Sequence, residues 1–85
     1  MPKYQMVFDT VKGDVRHSVD IDDTETLDQV LEEILWDLKE RGSKLRQGQP
    51  QVVCNNQSLD FSLPLPAQGV YPNDVLRVST IAIVG

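Results

Sequence analysis

Hydrophobic and polar residues alternate through two short segments near the N-terminus, and this pattern predicts a β-hairpin. The first segment covers residues 4–10 and the second covers residues 15–22. On the predicted inward faces lie Tyr4, Met6, Phe8, Val15, His17, Val19 and Ile21. The Lys-Gly-Asp sequence at 12–14 is interpreted as the connecting turn, since glycine adopts the unusual φ that a tight turn needs.

A helical pattern follows, and we place the helix at residues 27–41. Apolar residues recur there at steps of three and four, which aligns them along one side of a helix. This apolar stripe consists of Leu27, Val30, Leu31, Ile34, Leu35 and Leu38. Thr26 and Gln29 fit a capping box at the start of the helix. Gly42 is typical of the position just after a helix ends.

Between the helix and the last strand the pattern is less regular. We interpret it as a loop over 42–50, a short strand over 51–54, a turn at 55–56 and a mostly irregular stretch over 57–73. Pro64 and Pro66 are incompatible with a central strand or a long helix there. The apolar side chains expected to pack inward from this stretch are Leu59, Phe61, Leu63 and Leu65.

A final strand is predicted to begin at Asp74. Its alternation places Leu76 and Val78 inward, with Arg77 and Ser79 outward. The complete order is therefore ββαβ(β)β, which corresponds to an α+β fold with one helix packed across a mixed sheet.

Composition limits the range of functions. With 85 residues we expect one domain with a small core, whose function lies at its surface. A net charge of −5 argues against nucleic acid as a partner and favours a basic protein surface, although acidity also promotes solubility. The given sequence has neither the pattern of a signal peptide nor an apolar run of transmembrane length. We therefore predict a cytoplasmic protein that does not act at a membrane.

The reactive side chains do not form a catalytic or metal-binding constellation. Cys54 lies on the inward parity of its strand, where a free cysteine acts as a small hydrophobic residue, and no base is marked out to activate it. His17 is the single histidine. The acidic run at 20–25 is better explained by helix-start electrostatics than by calcium binding. We therefore expect neither an enzyme nor a metal or cofactor site.

Trp36 is the exception among the helix residues. It lies about 180° from the centre of the apolar stripe, where exposed tryptophan is uncommon and is enriched in protein-binding sites. The alternatives are that its ring covers the stem of Lys39 or Glu40, or that it folds against Leu45.

The residues after Ser79 read TIAIVG and end at Gly85. A terminal glycine can enter a narrow catalytic cleft because it has no side chain. We predict a domain over 1–79 and a tail over 80–85. The alternative interpretations are an overhanging last strand and a longer chain cut at residue 85.

The chain resembles ubiquitin and its relatives, the β-grasp family. The segment VFDTVKGDVRHSVDIDDTETLDQVLEEI resembles the family's first hairpin and helix. The segment PQVVCNNQSLDFSLPLPAQGVYPNDVLRVS resembles its third strand, the following turn and corner, and its last strand. The departures from ubiquitin make the chain more similar to divergent bacterial ubiquitin-like proteins.

This resemblance implies a function for the end of the chain. An E1-like enzyme would activate the Gly85 carboxylate, and an E2-like enzyme would pass it to target proteins, with a deubiquitinase-like protease as a further partner. Such a bacterial pathway could serve antiviral defence. Val84 stands where the family usually has its penultimate glycine. The residues expected to dock as a strand-like tail are Ile81, Ala82, Ile83 and Val84.

The resemblance also implies a partner-binding surface. The hydrophobic patch of ubiquitin would correspond to Val11, Val53 and Ser79, to which we add Arg77 and Trp36 as exposed contact residues. A non-conjugated adaptor, as in type VII secretion, is the second hypothesis. A sulfur carrier is the third, and Val84 counts against it.

Overall fold

A computed structural model describes residues 2–81 and contains five strands, one α-helix and a short 3₁₀ turn. Their bounds are β1 (Lys3–Thr10), β2 (Gly13–Asp20), α1 (Leu27–Glu40), β3 (Gln49–Cys54), β4 (Gln57–Ser58), the 3₁₀ turn (Pro66–Gln68) and β5 (Val75–Ile81).

The strands form one mixed sheet in the order β2-β1-β5-β3-β4. Strand β1 pairs antiparallel with β2 and parallel with β5, while β3 pairs antiparallel with both β5 and β4. The helix packs across one side of this sheet, which we call the inner face. The predicted α+β architecture is thus confirmed.

The core lies between α1 and the inner face of the sheet. Its largest fully buried side chains are Tyr4, Met6, Phe8, Ile21, Leu27, Leu38, Leu65 and Leu76. The helix starts as predicted, because the backbone amide of Thr26 donates to Oε1 of Gln29 at 3.0 Å in a capping box. The alternation of β1 and the spacing of α1 therefore bury most of the residues that the sequence pattern selected, while Ile34 and Leu35 of the helix stripe are partly buried.

The first turn lies one residue earlier than the predicted turn at 12–14. Val11 and Lys12 form the loop, and Thr10 pairs with Gly13, the first residue of β2. Neither loop residue has a positive φ, whereas Gly13 has a φ of +110°. A type I turn closed by a glycine bulge explains this arrangement. The hydroxyl of Thr10 donates to the carbonyl oxygen of Gly13 at 2.6 Å and fixes the register.

Strand β3 begins two residues before the predicted start at Gln51. Gln49 pairs with Ile81, and Pro50 pairs with Thr80. Because β4 covers β3 only at its last two residues, the outer edge of β3 at Pro50 is open. A proline at an open edge removes no ladder hydrogen bond, so the strand can include it.

The predicted turn at 55–56 is confirmed. Asn55 and Asn56 have φ values of +53° and +64°, which correspond to a type I′ hairpin turn. The prediction for Leu63 was wrong. Leu59 and Leu65 are buried and Phe61 is partly buried, but Leu63 is 43% exposed. Strand parity does not apply to this irregular segment, where each side-chain direction depends on the local turn.

The side chain of Gln68 organises this irregular segment. Its Oε1 accepts a hydrogen bond from the amide of Asp60 at 2.6 Å, and its Nε2 donates to the carbonyl oxygens of Asp60 at 2.8 Å and Leu63 at 3.1 Å. The segment in turn contacts the helix start, since the amide of Asp28 donates to the carbonyl oxygen of Phe61 at 3.1 Å.

Replacing Gln68 with alanine should lower the free energy of unfolding by about 1–2 kcal/mol, because three hydrogen bonds to backbone groups are lost. Urea denaturation monitored by circular dichroism measures this loss. Gln47→Ala is the matched control, since Gln47 is exposed and its side chain makes no hydrogen bond within the described part of the chain. Equal stability of the two variants would contradict the organising role of Gln68.

Candidate protein-binding surfaces

The reactive side chains lie apart from one another. Cys54 is on β3 and His17 is on β2, so β1 and β5 separate them in the sheet. Three strand spacings put the two strands about 14 Å apart. His17 instead contacts its structural neighbours: its ring meets that of Phe8 edge to face at 5.9 Å, and Nη1 of Arg41 lies 3.4 Å from its Nδ1.

Two further findings concern the kinds of site that the described residues can form. Within residues 2–81, no group of three or more histidine, cysteine, aspartate or glutamate side chains is placed to hold a metal ion. In the same part of the chain, no helix has the length and apolar character to cross a membrane.

Cys54 has the surroundings of a core residue. Its side chain is buried, and this burial raises the pKa of the thiol, with a smaller contribution from the negative charge of Asp74. A raised pKa lowers the fraction of reactive thiolate at neutral pH.

Iodoacetamide should therefore alkylate Cys54 at least about ten times more slowly in the folded protein than in urea. The rate can be followed by intact mass, because the chain has a single cysteine. A folded-state rate equal to that of the urea-unfolded chain would contradict the burial of this thiol.

The face of the sheet that points away from α1 brings together three of the predicted surface residues. Val53 pairs directly with Arg77 across β3 and β5, and Ser79 follows on the same face of β5. Val11 is 52% exposed in the turn that follows β1, and its amide donates to the carbonyl oxygen of Lys44 at 3.1 Å. Their role in binding a partner remains a prediction.

Val7 also belongs to this face, although the sequence reasoning did not single it out. It pairs with Arg16 on one side and with Arg77 on the other, and only 6% of its surface is exposed. Val75 lies two residues before Arg77 on the same face of β5 and is 46% exposed. Val7 is apolar, whereas the other β1 residues of the same parity are polar. This contrast was the signal in the sequence that could have identified Val7 as part of the outer face. We call Val7, Val53, Val75, Arg77 and Ser79 the outer sheet face.

Charge on the outer sheet face is organised around Arg77. Its Nη2 lies 3.3 Å from Oδ2 of Asp14, and both side chains are more than half exposed. An exposed pair of this kind contributes little to stability. Since Arg77 pairs with Val7 on one side and Val53 on the other, this face offers a protein partner apolar and charged groups together.

Trp36 lies on a different surface from the other predicted contact residues. It is 60% exposed on the side of α1 that points away from the sheet, so the sheet and the helix separate it from Arg77. Trp36 and Lys39 line one groove, whereas Leu45 lines another that does not include Trp36. The predicted partner-binding surface is thus two surfaces on opposite sides of the molecule.

The predicted tail lies mostly outside the described residues. Ile81 is the last residue of β5 and is 53% exposed. Thr80 and Ile81 pair with β3, although the domain boundary at residue 79 remains a prediction. The remaining predicted tail residues, Ala82, Ile83, Val84 and the conjugation residue Gly85, fall outside the part of the chain that the structure describes.

Comparison with known proteins adds evidence about the fold. No family model and no curated protein matches the sequence. Among solved structures, the chain is similar to a computationally designed protein based on human erythrocytic ubiquitin, with 20% identity, a TM-score of 0.68 and coverage of 100% of this chain and 98% of that one. A second designed protein based on ubiquitin has 18% identity, a TM-score of 0.64 and coverage of 98% and 94%.

A natural protein has the same fold. It is a ubiquitin-like protein from the hyperthermophilic archaeon Caldiarchaeum subterraneum, with 17% identity, a TM-score of 0.56 and coverage of 96% of this chain and 99% of that one. These similarities extend over nearly the whole of each chain. The chain therefore has the ubiquitin-like β-grasp fold.

Proposed function

We propose that the chain is a ubiquitin-like protein modifier that an E1-like enzyme activates at Gly85. The observation that best supports this proposal is the course of β5. The strand runs through the centre of a ubiquitin-like sheet, continues past its last pairing with β1 at Val78, and ends at the exposed Ile81. Gly85 follows four residues later in the sequence.

The chemistry requires only the carboxylate of this chain. The E1-like enzyme joins that carboxylate to the α-phosphate of ATP and releases pyrophosphate. A nucleophile on the enzyme then captures the acyl group and releases AMP. An E2-like enzyme transfers the acyl group to an amine or hydroxyl of a target protein, and a deubiquitinase-like protease hydrolyses the product. We place these steps in a bacterial cytoplasmic pathway.

The short distance between the sheet and Gly85 restricts how an activating enzyme can bind. Four residues extend at most about 14 Å, so the enzyme must approach the Ile81 end of β5 closely. Ile81, Ile83 and Val84 are β-branched residues that favour pairing of an extended segment with a strand of the partner.

The proposal is tested with the E1-like protein encoded nearest the gene, together with ATP. The expected product is an adduct between the two proteins, seen by intact mass and abolished by deletion of Gly85. Asp20→Asn is the control and should form the adduct normally, since Asp20 is exposed at the end of β2, which β1 separates from β5. Absence of adenylation by a folded, active enzyme would overturn the proposal. Intact mass of the natural protein checks that Gly85 carries the free carboxylate.

A second function is a non-conjugated adaptor, as in type VII secretion. The outer sheet face favours it, because Val7, Val53 and Val75 surround an exposed arginine without any need for Gly85. In that case a partner captured by the chain should be lost with Arg77→Glu and retained when Gly85 is deleted. A modifier should instead keep forming the E1 adduct with Arg77→Glu and lose it when Gly85 is deleted.

A further inference from the structure

The outward side of α1 carries an aromatic ring in an acidic groove. Trp36 is 60% exposed and lines a groove of about 850 Å³. Three carboxylates and one ammonium group share the groove with it, from Glu32, Glu33, Asp37 and Lys39. We call these residues, with Trp36, the Trp36 groove. The Trp36 groove and the outer sheet face lie on opposite sides of the molecule, with the helix, the core and the sheet between them.

Helix geometry places two of the carboxylates beside the indole ring. Glu32 and Glu33 precede Trp36 by four and three residues, so they lie one turn below it on the same side of the helix. A long side chain in a helix is directed back toward the preceding turn. The indole and these two carboxylates therefore face solvent together.

The carboxylates of the groove have no cationic partner in the described part of the chain. The ion pairs found within residues 2–81 are Arg46 with Asp9 and Arg77 with Asp14, and neither involves α1. Glu33 and Asp37 are four residues apart, so they are neighbours on the same side of the helix and their negative charges repel each other. Arg41 could pair with Asp37 at the same spacing, but its guanidinium is directed to His17.

We propose that the Trp36 groove binds an arginine-rich segment of a partner protein. A guanidinium group is planar, stacks on an indole face and forms paired hydrogen bonds with carboxylates. It would also relieve the repulsion between carboxylates of the helix. An acidic peptide would be repelled, and an uncharged apolar segment would leave the carboxylates without partners. The inference is independent of conjugation at Gly85.

The probe is a fluorescein-labelled octapeptide of alternating arginine and glycine, measured by fluorescence anisotropy at about 50 mM salt, where surface charges are weakly screened. We expect saturable binding, several-fold weaker binding of the lysine–glycine octapeptide, and no binding of the glutamate–glycine octapeptide. The unlabelled arginine peptide should also change the emission of Trp36, which is the single tryptophan of the chain.

Two variants locate the binding site. Trp36→Ala should weaken binding about tenfold, through loss of the stacking surface. The double variant Glu32→Gln, Glu33→Gln keeps the indole and should also weaken binding about tenfold. The matched control is Asp20→Asn, Asp23→Asn, which removes the same charge from exposed positions outside the groove and should bind as the unmodified chain does.

Three results would overturn the proposal. The first is equal weakening by the groove variant and the control, which would indicate nonspecific attraction. The second is unchanged affinity of Trp36→Ala. The third is a Trp36-dependent dimer in analytical ultracentrifugation, which would identify a second copy of the chain as the occupant. Circular dichroism establishes that each variant keeps its helix, and Trp36→Phe, which retains an aromatic ring, should bind with intermediate affinity.

Discussion

Replacing Gly48 with alanine should separate the end of β5 from β3 and lower the free energy of unfolding by about 3 kcal/mol. Gly48 has a φ of +147°, and a Cβ built on it would lie 2.5 Å from the carbonyl oxygen of Ile81 and 3.1 Å from its carbonyl carbon. Both are backbone atoms, so they cannot move aside without displacing the strand. The Gln49–Ile81 pair is adjacent and should be lost first.

Gly69→Ala is the control that separates the steric clash from the cost of placing a side chain on a residue with a positive φ. Gly69 also has a positive φ, +77°, but no atom lies within 4 Å of a Cβ built on it. That variant should lose only about 1–2 kcal/mol, the penalty for a left-handed residue with a side chain. Urea denaturation compares the two stabilities, and ¹H–¹⁵N spectra report the amide shifts of Thr80 and Ile81. Equal stabilities, or unchanged shifts in Gly48→Ala, would contradict the close contact.

The Gly48→Ala variant also tests the proposed function. In the unmodified chain, pairing with β3 holds the strand as far as Ile81. The proposed docking of the tail as an extended segment implies that Gly48→Ala should slow formation of the E1 adduct relative to Gly69→Ala, because the end of β5 is no longer held in an extended conformation. An unchanged or faster rate would contradict strand-like docking of the tail.

Local signals explain why the hairpin and helix could be predicted from sequence. Alternation selected Tyr4 and Phe8 as core residues, and Thr26 with Gln29 marked the start of α1. These signals depend on residues near one another in the chain. The parallel pairing of β1 with β5 depends on residues about 70 positions apart, and no periodicity reports it. The order of elements predicted a mixed sheet without indicating which strands pair in parallel.

The wrong predictions concern residues whose positions depend on contacts with parts of the chain outside their own segment. Pro50 is in a strand because the neighbouring edge is open, which cannot be read from its own sequence segment. Leu63 is exposed because hydrogen bonds to Gln68 determine the course of the irregular segment. Trp36 and Arg77 were grouped as one surface, although their separation follows only from the packing of the helix on the sheet.

Two adjacent residues of β1 should differ sharply in their contribution to stability. Phe8 is fully buried on the inner face of this internal strand, whereas Val7 lies on the outer sheet face with 6% of its surface exposed. Phe8→Ala should destabilise the fold by about 3–5 kcal/mol through lost burial and a cavity. A domain of this length has a total stability of about 4–13 kcal/mol, so the loss is a large share of it, and the melting midpoint of the variant should lie well below that of the unmodified chain.

Val7→Ala is the matched comparison, since it removes apolar volume one residue away on the opposite face. Its expected loss is about 1–2 kcal/mol, which leaves a folded protein with a gap between Arg16 and Arg77 on this face. Thermal and urea denaturation measure both variants. If the outer sheet face binds a partner, Val7→Ala should weaken that binding while the far-ultraviolet spectrum remains unchanged. Comparable destabilisation by the two substitutions would contradict the assignment of Phe8 to the core and of Val7 to the outer sheet face.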